Sequence, residues 1–174
     1  EPQIRDYINS IYELKFKENT NINEDLRLRS NCDGLDKDAG LLLEIKTNAG
    51  DKTTYEDVYD YVLQMQMYMF QFNVEKGYLV QYKRPENFWS GLNYETQHTD
   101  DYFNQDFDPE RISVMEIKRD DKLIQQILSK AEKFWINVER LKQNPEMNEQ
   151  EFYFGDNLVE YNDTINKLSV LEKE

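Results

Sequence analysis

The segment 41–46 constrains the fold most, because it reads as a strand that is apolar on both of its faces. Three leucines occupy positions 41–43, and successive side chains of a strand point to opposite faces of the sheet. A strand of this kind is typical of the centre of a sheet that is covered on both sides. The run ends in Glu44 and Lys46. Charges at the end of a buried strand need a specific reason.

An acidic residue precedes this strand at a spacing that predicts a shared site. Asp33 lies ahead of a turn at 36–40, and that turn would fold the chain back on strand 41–46 as an antiparallel hairpin. Carboxylates on adjacent strands can lie side by side. Asp33, Glu44 and the main-chain carbonyl of Ile45 could therefore hold a hard divalent cation such as Mg²⁺, which prefers oxygen ligands. Lys46 shares the strand face of Glu44 and would lie beside the water that the ion activates, which predicts metal-dependent phosphodiester cleavage.

A helix predicted over residues 55–73 adds a further polar group. Its apolar stripe contains Val58, Val62, Met65, Met69 and Phe72, at the spacing of a buried helix face. Tyr61, Gln64 and Tyr68 fall on a second stripe at spacings of three and four residues. This stripe either meets water or serves a site, and the residues alone leave both interpretations of Gln64 open.

The remaining periodicity predicts an α/β fold of the mixed α+β kind. We expect helices at 2–18, 55–73 and 120–143, and strands at 26–30, 41–46, 78–82 and 112–117. Residues 19–24 are expected to form a polar loop, 83–109 an irregular segment, and residues from about 156 a last helix. This order predicts a small central mixed β-sheet flanked by helices.

Composition restricts the class of protein. The chain has 174 residues and a net charge of −14, which suits a single domain and argues against broad coating of duplex DNA. A local groove that contains a metal ion remains compatible with this charge, since the ion changes the local sign. Cys32 is the only cysteine, so internal disulfides and four-thiolate metal sites are excluded. Neither a membrane span nor an export leader is expected, and we expect a cytoplasmic protein.

Three motifs together resemble the PD-(D/E)XK nuclease superfamily. They are Asp33-Gly34, then Glu44-Ile45-Lys46, then Gln64-Met65-Gln66. Within the superfamily the chain is similar to the YqaJ-type viral recombinases, the branch that includes the bacteriophage lambda exonuclease. The resemblance covers roughly residues 1–143, and the helix with two glutamines is its specific part.

The resemblance implies a restriction-endonuclease-like core and a role for each matching residue. Asp33 and Glu44 would ligate Mg²⁺ or Mn²⁺ with the Ile45 backbone carbonyl, Lys46 would be catalytic, and Gln64 would support the site. Glu1 falls at the place of a family glutamate on the first core helix and would assist metal binding. Family members begin earlier, so residues 1–145 are expected to form a nuclease-like core that lacks an N-terminal segment. Residues 146–174 would be an acidic C-terminal extension of the same domain.

The function that follows is a DNA exonuclease of phage or prophage origin in the bacterial cytoplasm. It would act at double-stranded DNA ends, work with a single-strand annealing protein, and could assemble as a homo-oligomeric ring. Candidate DNA-binding residues are Arg27, Arg29, Lys52, Lys83 and Arg84. Two alternatives stay open: an endonuclease of the same superfamily, and a catalytically inactive nuclease-like interaction module, which the acidic charge favours.

Overall fold

A computed structural model of the chain describes residues 1–48, 52–84 and 107–155. Contacts divide the chain into two compact units, Glu1–Ile124 and Gln125–Glu174, and each unit is described by itself. The boundary between the units falls inside a long helix. The extension proposed for residues 146–174 stays a prediction.

The first unit is built on one five-stranded mixed sheet. Its strands lie side by side in chain order: β1 (Lys17–Asn23), β2 (Leu28–Asp36), β3 (Leu41–Asn48), β4 (Lys76–Lys83) and β5 (Ile112–Lys118). Strands β3 and β4 are parallel, and the other neighbouring pairs are antiparallel. The predicted mixed α/β fold is therefore confirmed, with β3 at the centre of the sheet.

The described part of the chain also contains helices. They are α1 (Pro2–Tyr12), α2 (Tyr59–Phe72), α3 (Asp121–Gln143) and α4 (Glu149–Phe154), with a short 3-10 helix at Pro109–Arg111. In the second unit, Asn148 caps α4 through a reciprocal hydrogen-bonded box with Glu151, and Phe152 contacts Phe134 edge-on. No helix in the described part of the chain is long and apolar enough to cross a membrane.

Each face of the sheet carries its own apolar core. On one face Leu42 packs with the apolar stripe of α2, including Val62 and Met65. On the other face Leu41, Leu43 and Ile45 pack with Ile4 and Ile8 of α1. The apolar run therefore supplies side chains to both cores, as a strand buried on both faces should.

An irregularity in β2 changes which face its side chains meet. Lys17 pairs with Leu35 but Asn19 pairs with Cys32, so β2 holds one extra residue at this point. As a result Cys32 and Leu35 both join the α2-side core although they lie three positions apart in the strand. Gly34 lies inside the shift, where an added Cβ would come within 2.7 Å of the Phe16 Cβ.

Several predicted elements differ from those observed. The strand expected at 26–30 is β2, which runs over Leu28–Asp36 and therefore contains Asp33. The polar loop expected at 19–24 is wrong, because strand β1 occupies Lys17–Asn23 at the edge of the sheet. Its side chains are mostly polar, so main-chain pairing with β2 rather than hydrophobic alternation defines it. Helix α1 ends at Tyr12 instead of 18, because Glu13 adopts a left-handed conformation. The last helix expected from 156 lies outside the described residues.

The start of α2 also differs in detail from the prediction. Thr54 and Asp57 form a reciprocal hydrogen-bonded box, since the Asp57 N–H donates to Thr54 Oγ1 at 3.2 Å and the Thr54 N–H donates to Asp57 Oδ2 at 3.0 Å. The box closes a turn that precedes the helix, and regular helix begins only at Tyr59.

Candidate metal centre

The two predicted acidic residues meet where β2 and β3 separate. Regular pairing between these strands ends at Gly34 and Leu43. Beyond that point the Ile45 N–H donates to the Asp33 carboxylate, with 2.7 Å between nitrogen and Oδ2. Burial raises the pKa of Asp33, and the hydrogen bond from Ile45 lowers it only in part. The irregular stretch of β2 therefore places one carboxylate directly beside the Glu44–Lys46 segment.

Glu44 is the most unusual residue of the site. It is 3% exposed, and its Oε1 accepts a hydrogen bond from Lys46 Nζ at 2.7 Å. Its second oxygen, Oε2, is buried and has no hydrogen-bond partner in the described part of the protein. Burial raises the pKa of Glu44 to about 7, and the nearby Asp33 charge adds to the effect. A buried carboxylate oxygen without a donor is costly, and a cation would relieve that cost.

Lys46 is held between an anion and an aromatic ring. Its Nζ lies 2.7 Å from Glu44 Oε1 and 5.2 Å from the centre of the Tyr61 ring. Burial lowers the pKa of Lys46, but the hydrogen bond and charge of Glu44 outweigh burial, so the net pKa is raised. Lys46 is therefore a fixed ammonium ion at the edge of the carboxylate pair.

Helix α1 brings two charged residues to the same place. Arg5 Nη1 donates to the main-chain oxygen of Asp33 at 2.9 Å and to Glu18 Oε1 at 2.7 Å. Glu1 precedes α1, and its charge raises the pKa of both Asp33 and Glu44. The structure thus places Glu1 near the carboxylate pair, as the family resemblance implies. The sequence motifs did not single out Arg5.

Helix α2 contributes the second stripe of its surface. Gln64 Nε2 donates to the Tyr68 hydroxyl at 2.6 Å. The pKa of Tyr68 is raised mainly by burial, and the charges of Glu44 and Asp33 raise it further. Gln64 is therefore linked to the site through Tyr68. The spacing of three and four residues already grouped Tyr61, Gln64 and Tyr68, but no sequence motif assigned the tyrosines to the site.

The predicted DNA-binding residues do not form one group. Lys83 ends β4 and Arg84 follows it. Since Lys83 and Asn48 are partners in the parallel ladder, both cations lie at the sheet end of Lys46. Lys52 contacts the Tyr61 ring. Arg27 lies in the turn between β1 and β2, and exposed Arg29 contacts Asn31.

The donor set fits a hard cation. No group of three His, Cys, Asp or Glu side chains is close enough to cage a metal within the described residues. Two carboxylates with a main-chain carbonyl would leave three of the six octahedral positions to water, and Mg²⁺ usually keeps several waters. The unpaired Glu44 Oε2 is the observation that favours a bound cation here.

Comparisons with known proteins identify solved structures of similar shape. A phage related exonuclease from Haemophilus somnus 129PT is 20% identical, with a TM-score of 0.49 over 72% of this chain and 62% of its own. An alkaline exonuclease (LHK-Exo) from Laribacter hongkongensis is 20% identical, with a TM-score of 0.53 over 83% of this chain and 70% of its own. This chain thus spans about three fifths of the length of the first protein.

The sequence itself gives no comparable match. No protein-family model matches it, and no curated protein matches it. The similarity to the alkaline exonuclease, at a TM-score of 0.53, shows a shared fold. The exonuclease resemblance drawn from the three motifs is therefore confirmed at the level of the fold.

Proposed function

We propose that the protein is a metal-dependent nuclease that hydrolyses DNA from duplex ends. The observation that carries this proposal is the buried Glu44 carboxylate, which keeps one oxygen unpaired beside Asp33 and Lys46. Burial of this kind is costly without a positive charge on the open side. A divalent cation coordinated by both carboxylates supplies that charge and gives the arrangement a chemical purpose.

Each residue has a role that its position supports. Asp33 and Glu44 would hold Mg²⁺ or Mn²⁺ with the Ile45 carbonyl, and Glu1 would help to orient the ion's waters. When bound, such an ion polarises a phosphoryl oxygen and lowers the pKa of a coordinated water. Lys46 would orient the attacking water and neutralise charge that develops on the phosphate. Gln64, through Tyr68, would keep the α2 side of the site in place.

The exonuclease activity and its partners rest on the fold comparison and the motifs. The similar solved structures are described as exonucleases, which supports action at DNA ends. We accordingly propose duplex ends as the substrate, a single-strand annealing protein as the partner that receives the product, and a homo-oligomeric ring as the assembly. Arg27, Arg29, Lys52, Lys83 and Arg84 are the proposed phosphate contacts, in a bacterial cytoplasm.

Digestion of DNA tests this proposal directly. Linear duplex DNA with Mg²⁺ or Mn²⁺ should be degraded by the protein, and Asp33→Ala and Lys46→Ala should each abolish degradation. Covalently closed circular DNA should survive, because it offers no end. Cleavage of the circle would instead identify an endonuclease. Equal degradation by the native protein and both variants would refute the assignment of the site.

The net charge of −14 favours one further candidate, an acidic interaction module that keeps the nuclease fold without its chemistry. Calorimetry with Mn²⁺ separates the two. A nuclease should bind Mn²⁺, and Glu44→Gln should remove that binding. An interaction module should show no Mn²⁺ binding that depends on Glu44.

A further inference from the structure

We propose that Tyr61 is a positioning residue that holds Lys46 and Lys52 as a pair, and that Lys52 makes a second phosphate contact beside the cleavage site. This inference rests on the proposed nuclease function and deepens it. It identifies Lys52, one of the five candidate DNA-binding residues, as a contact of the DNA strand. It also assigns Tyr61 on α2 a role in the site.

The two ammonium groups share one aromatic ring. Lys46 Nζ lies 5.2 Å from the centre of the Tyr61 ring, and Lys52 Nζ lies 4.6 Å from it. Lys52 Nζ is also 3.5 Å from the Tyr61 hydroxyl. Ammonium groups within about 6 Å of a ring centre are attracted by its π electrons. One ring therefore restrains both side chains, which approach it from two different segments of the chain.

The main chain of Lys52 is also fixed near the end of β4. Gln81 is buried, and its Nε2 donates to the Lys52 carbonyl at 2.9 Å. The Oε1 of Gln81 accepts from Asn48 Nδ2 at 2.8 Å. The nitrogen and the oxygen of the Gln81 side-chain amide thus link Lys52 to Asn48 at the end of β3. The position of Lys52 near Lys46 follows from these bonds as well as from the ring.

The two lysines differ in their charge partners. Lys46 has Glu44 at 2.7 Å. Lys52 has no carboxylate within salt-bridge distance in the part of the chain that the structure describes. Its Nζ contacts Tyr61, and its charge lowers the pKa of the exposed Asp57. Two positive groups on one ring repel each other unless an anion joins them. A phosphate of the bound strand is the anion that the proposed reaction supplies.

Binding of DNA as a function of salt tests the role of Lys52 without catalysis. A short blunt duplex labelled with fluorescein is titrated in Ca²⁺ at several salt concentrations. Each phosphate contact contributes about 0.9 to the slope of log affinity against log salt concentration. Lys52→Ala should reduce the slope by about that amount. The matched control is Lys76→Ala, since Lys76 lies at the opposite end of β4 and should leave the slope unchanged.

Kinetics and spectroscopy test the role of Tyr61. Tyr61→Phe keeps the ring and removes the hydroxyl that lies 3.5 Å from Lys52 Nζ, so the ring-induced shift of the lysine side-chain protons should be retained. Tyr61→Leu removes the ring and should lower kcat about two- to fivefold through Lys46, while KM rises through Lys52. A purely structural role would lower thermal stability while leaving kcat and KM of the folded protein unchanged.

The outcomes separate the inference from the proposed function. If the native protein degrades DNA but Lys52→Ala behaves like Lys76→Ala, the inference is overturned and the nuclease stands. If Tyr61→Leu keeps both kcat and KM of the native protein, the positioning role is overturned. If no DNA is degraded yet the salt slope depends on Lys52, the lysine pair is supported and the proposed reaction is rejected. Absence of any DNA binding overturns both.

Discussion

Two buried carboxylates, Asp36 and Glu44, show how differently the same chemical group can be treated within one sheet. Asp36 ends β2 and is 5% exposed, and Glu44 on β3 is 3% exposed. Asp36 accepts hydrogen bonds from three main-chain N–H groups, those of Lys15, Asp38 and Ala39. These bonds, that from Ala39 foremost, lower its pKa.

Glu44 receives no comparable support. One oxygen pairs with Lys46 and the other has no partner in the described structure, so burial raises its pKa to about 7. Asp36 therefore stabilises the turn between β2 and β3 as an anion, whereas Glu44 is strained as an anion until a cation arrives. The difference supports the proposal that Glu44, and not Asp36, is the acid that serves the site, without reference to any relative.

The largest expected effect is that of Glu44→Gln on activity. We expect DNA degradation to fall more than about hundredfold, because even groups that only support metal ligands cost about 10- to 100-fold when removed. The metal-free variant should remain as stable as the native protein, since the substitution removes a charge that burial disfavours. Initial rates on linear duplex DNA and thermal melting in EDTA measure the two effects. A large loss of stability would mean that Glu44 is structural after all.

Metal binding should depend on pH through the same residue. Its pKa is about 7 in the folded protein against an ordinary value of 4.5, so the folded state holds the proton more tightly than the unfolded state. Stability of the metal-free protein should therefore fall as pH rises from about 4.5 to 7. Affinity for Mn²⁺ should rise by up to about tenfold per pH unit in that window, since the ion needs the ionised form.

Calorimetric titrations with Mn²⁺ and urea unfolding in EDTA at pH 5, 6 and 7 check both directions. Glu44→Gln is the matched control, because it lacks the titrating group. An affinity for Mn²⁺ that is constant over this range would contradict the assignment of Glu44 as a ligand.

Asp36→Ala should have the opposite profile to Glu44→Gln. Three main-chain donors lose a charged acceptor, so the free energy of unfolding should fall by about 2–4 kcal/mol. The folded fraction should keep its nuclease rate, because Asp36 does not contact the site. Urea unfolding gives the first quantity and rates measured well below the unfolding midpoint give the second. Loss of rate without loss of stability would place Asp36 in the functional site.

A smaller effect is expected at Gly34, which lies between Asp33 and Asp36 on β2. An added Cβ would approach the Phe16 Cβ within 2.7 Å and the Leu43 Cβ within 3.0 Å. Gly34→Ala should therefore cost about 1–3 kcal/mol through overpacking. It should also weaken Mn²⁺ binding if strand separation moves Asp33. Unchanged stability would show that the neighbouring strands adjust freely.

Much of this arrangement was predictable from the sequence. The three leucines identified β3 as a strand buried on both faces, and the spacing of Asp33 and Glu44 across the hairpin predicted their proximity. The stripe containing Gln64 was recognised by its period. These features follow from local alternation and helical spacing, which the chain displays directly.

Other features depended on pairing that no local pattern shows. Strand β1 carries mostly polar side chains and exists because β2 lies beside it. Arg5 reaches the Asp33 carbonyl only through the packing of α1 against the sheet. The contacts of Tyr61 with two lysines and the unpaired Glu44 oxygen likewise arise from side chains that are distant in sequence.

The extra residue in β2 has a consequence for how this chain tolerates change. The extra residue shifts the alternation of side chains by one position between the two sides of the irregularity. Cys32 and Leu35 therefore face the same core. Deleting a single amino acid here would turn every side chain on one side of the deletion to the opposite face of the sheet. Substitutions within the strand should consequently be better accepted than any change in its length. The position of the Asp33 carboxylate therefore depends on the number of residues in β2 as much as on their identity.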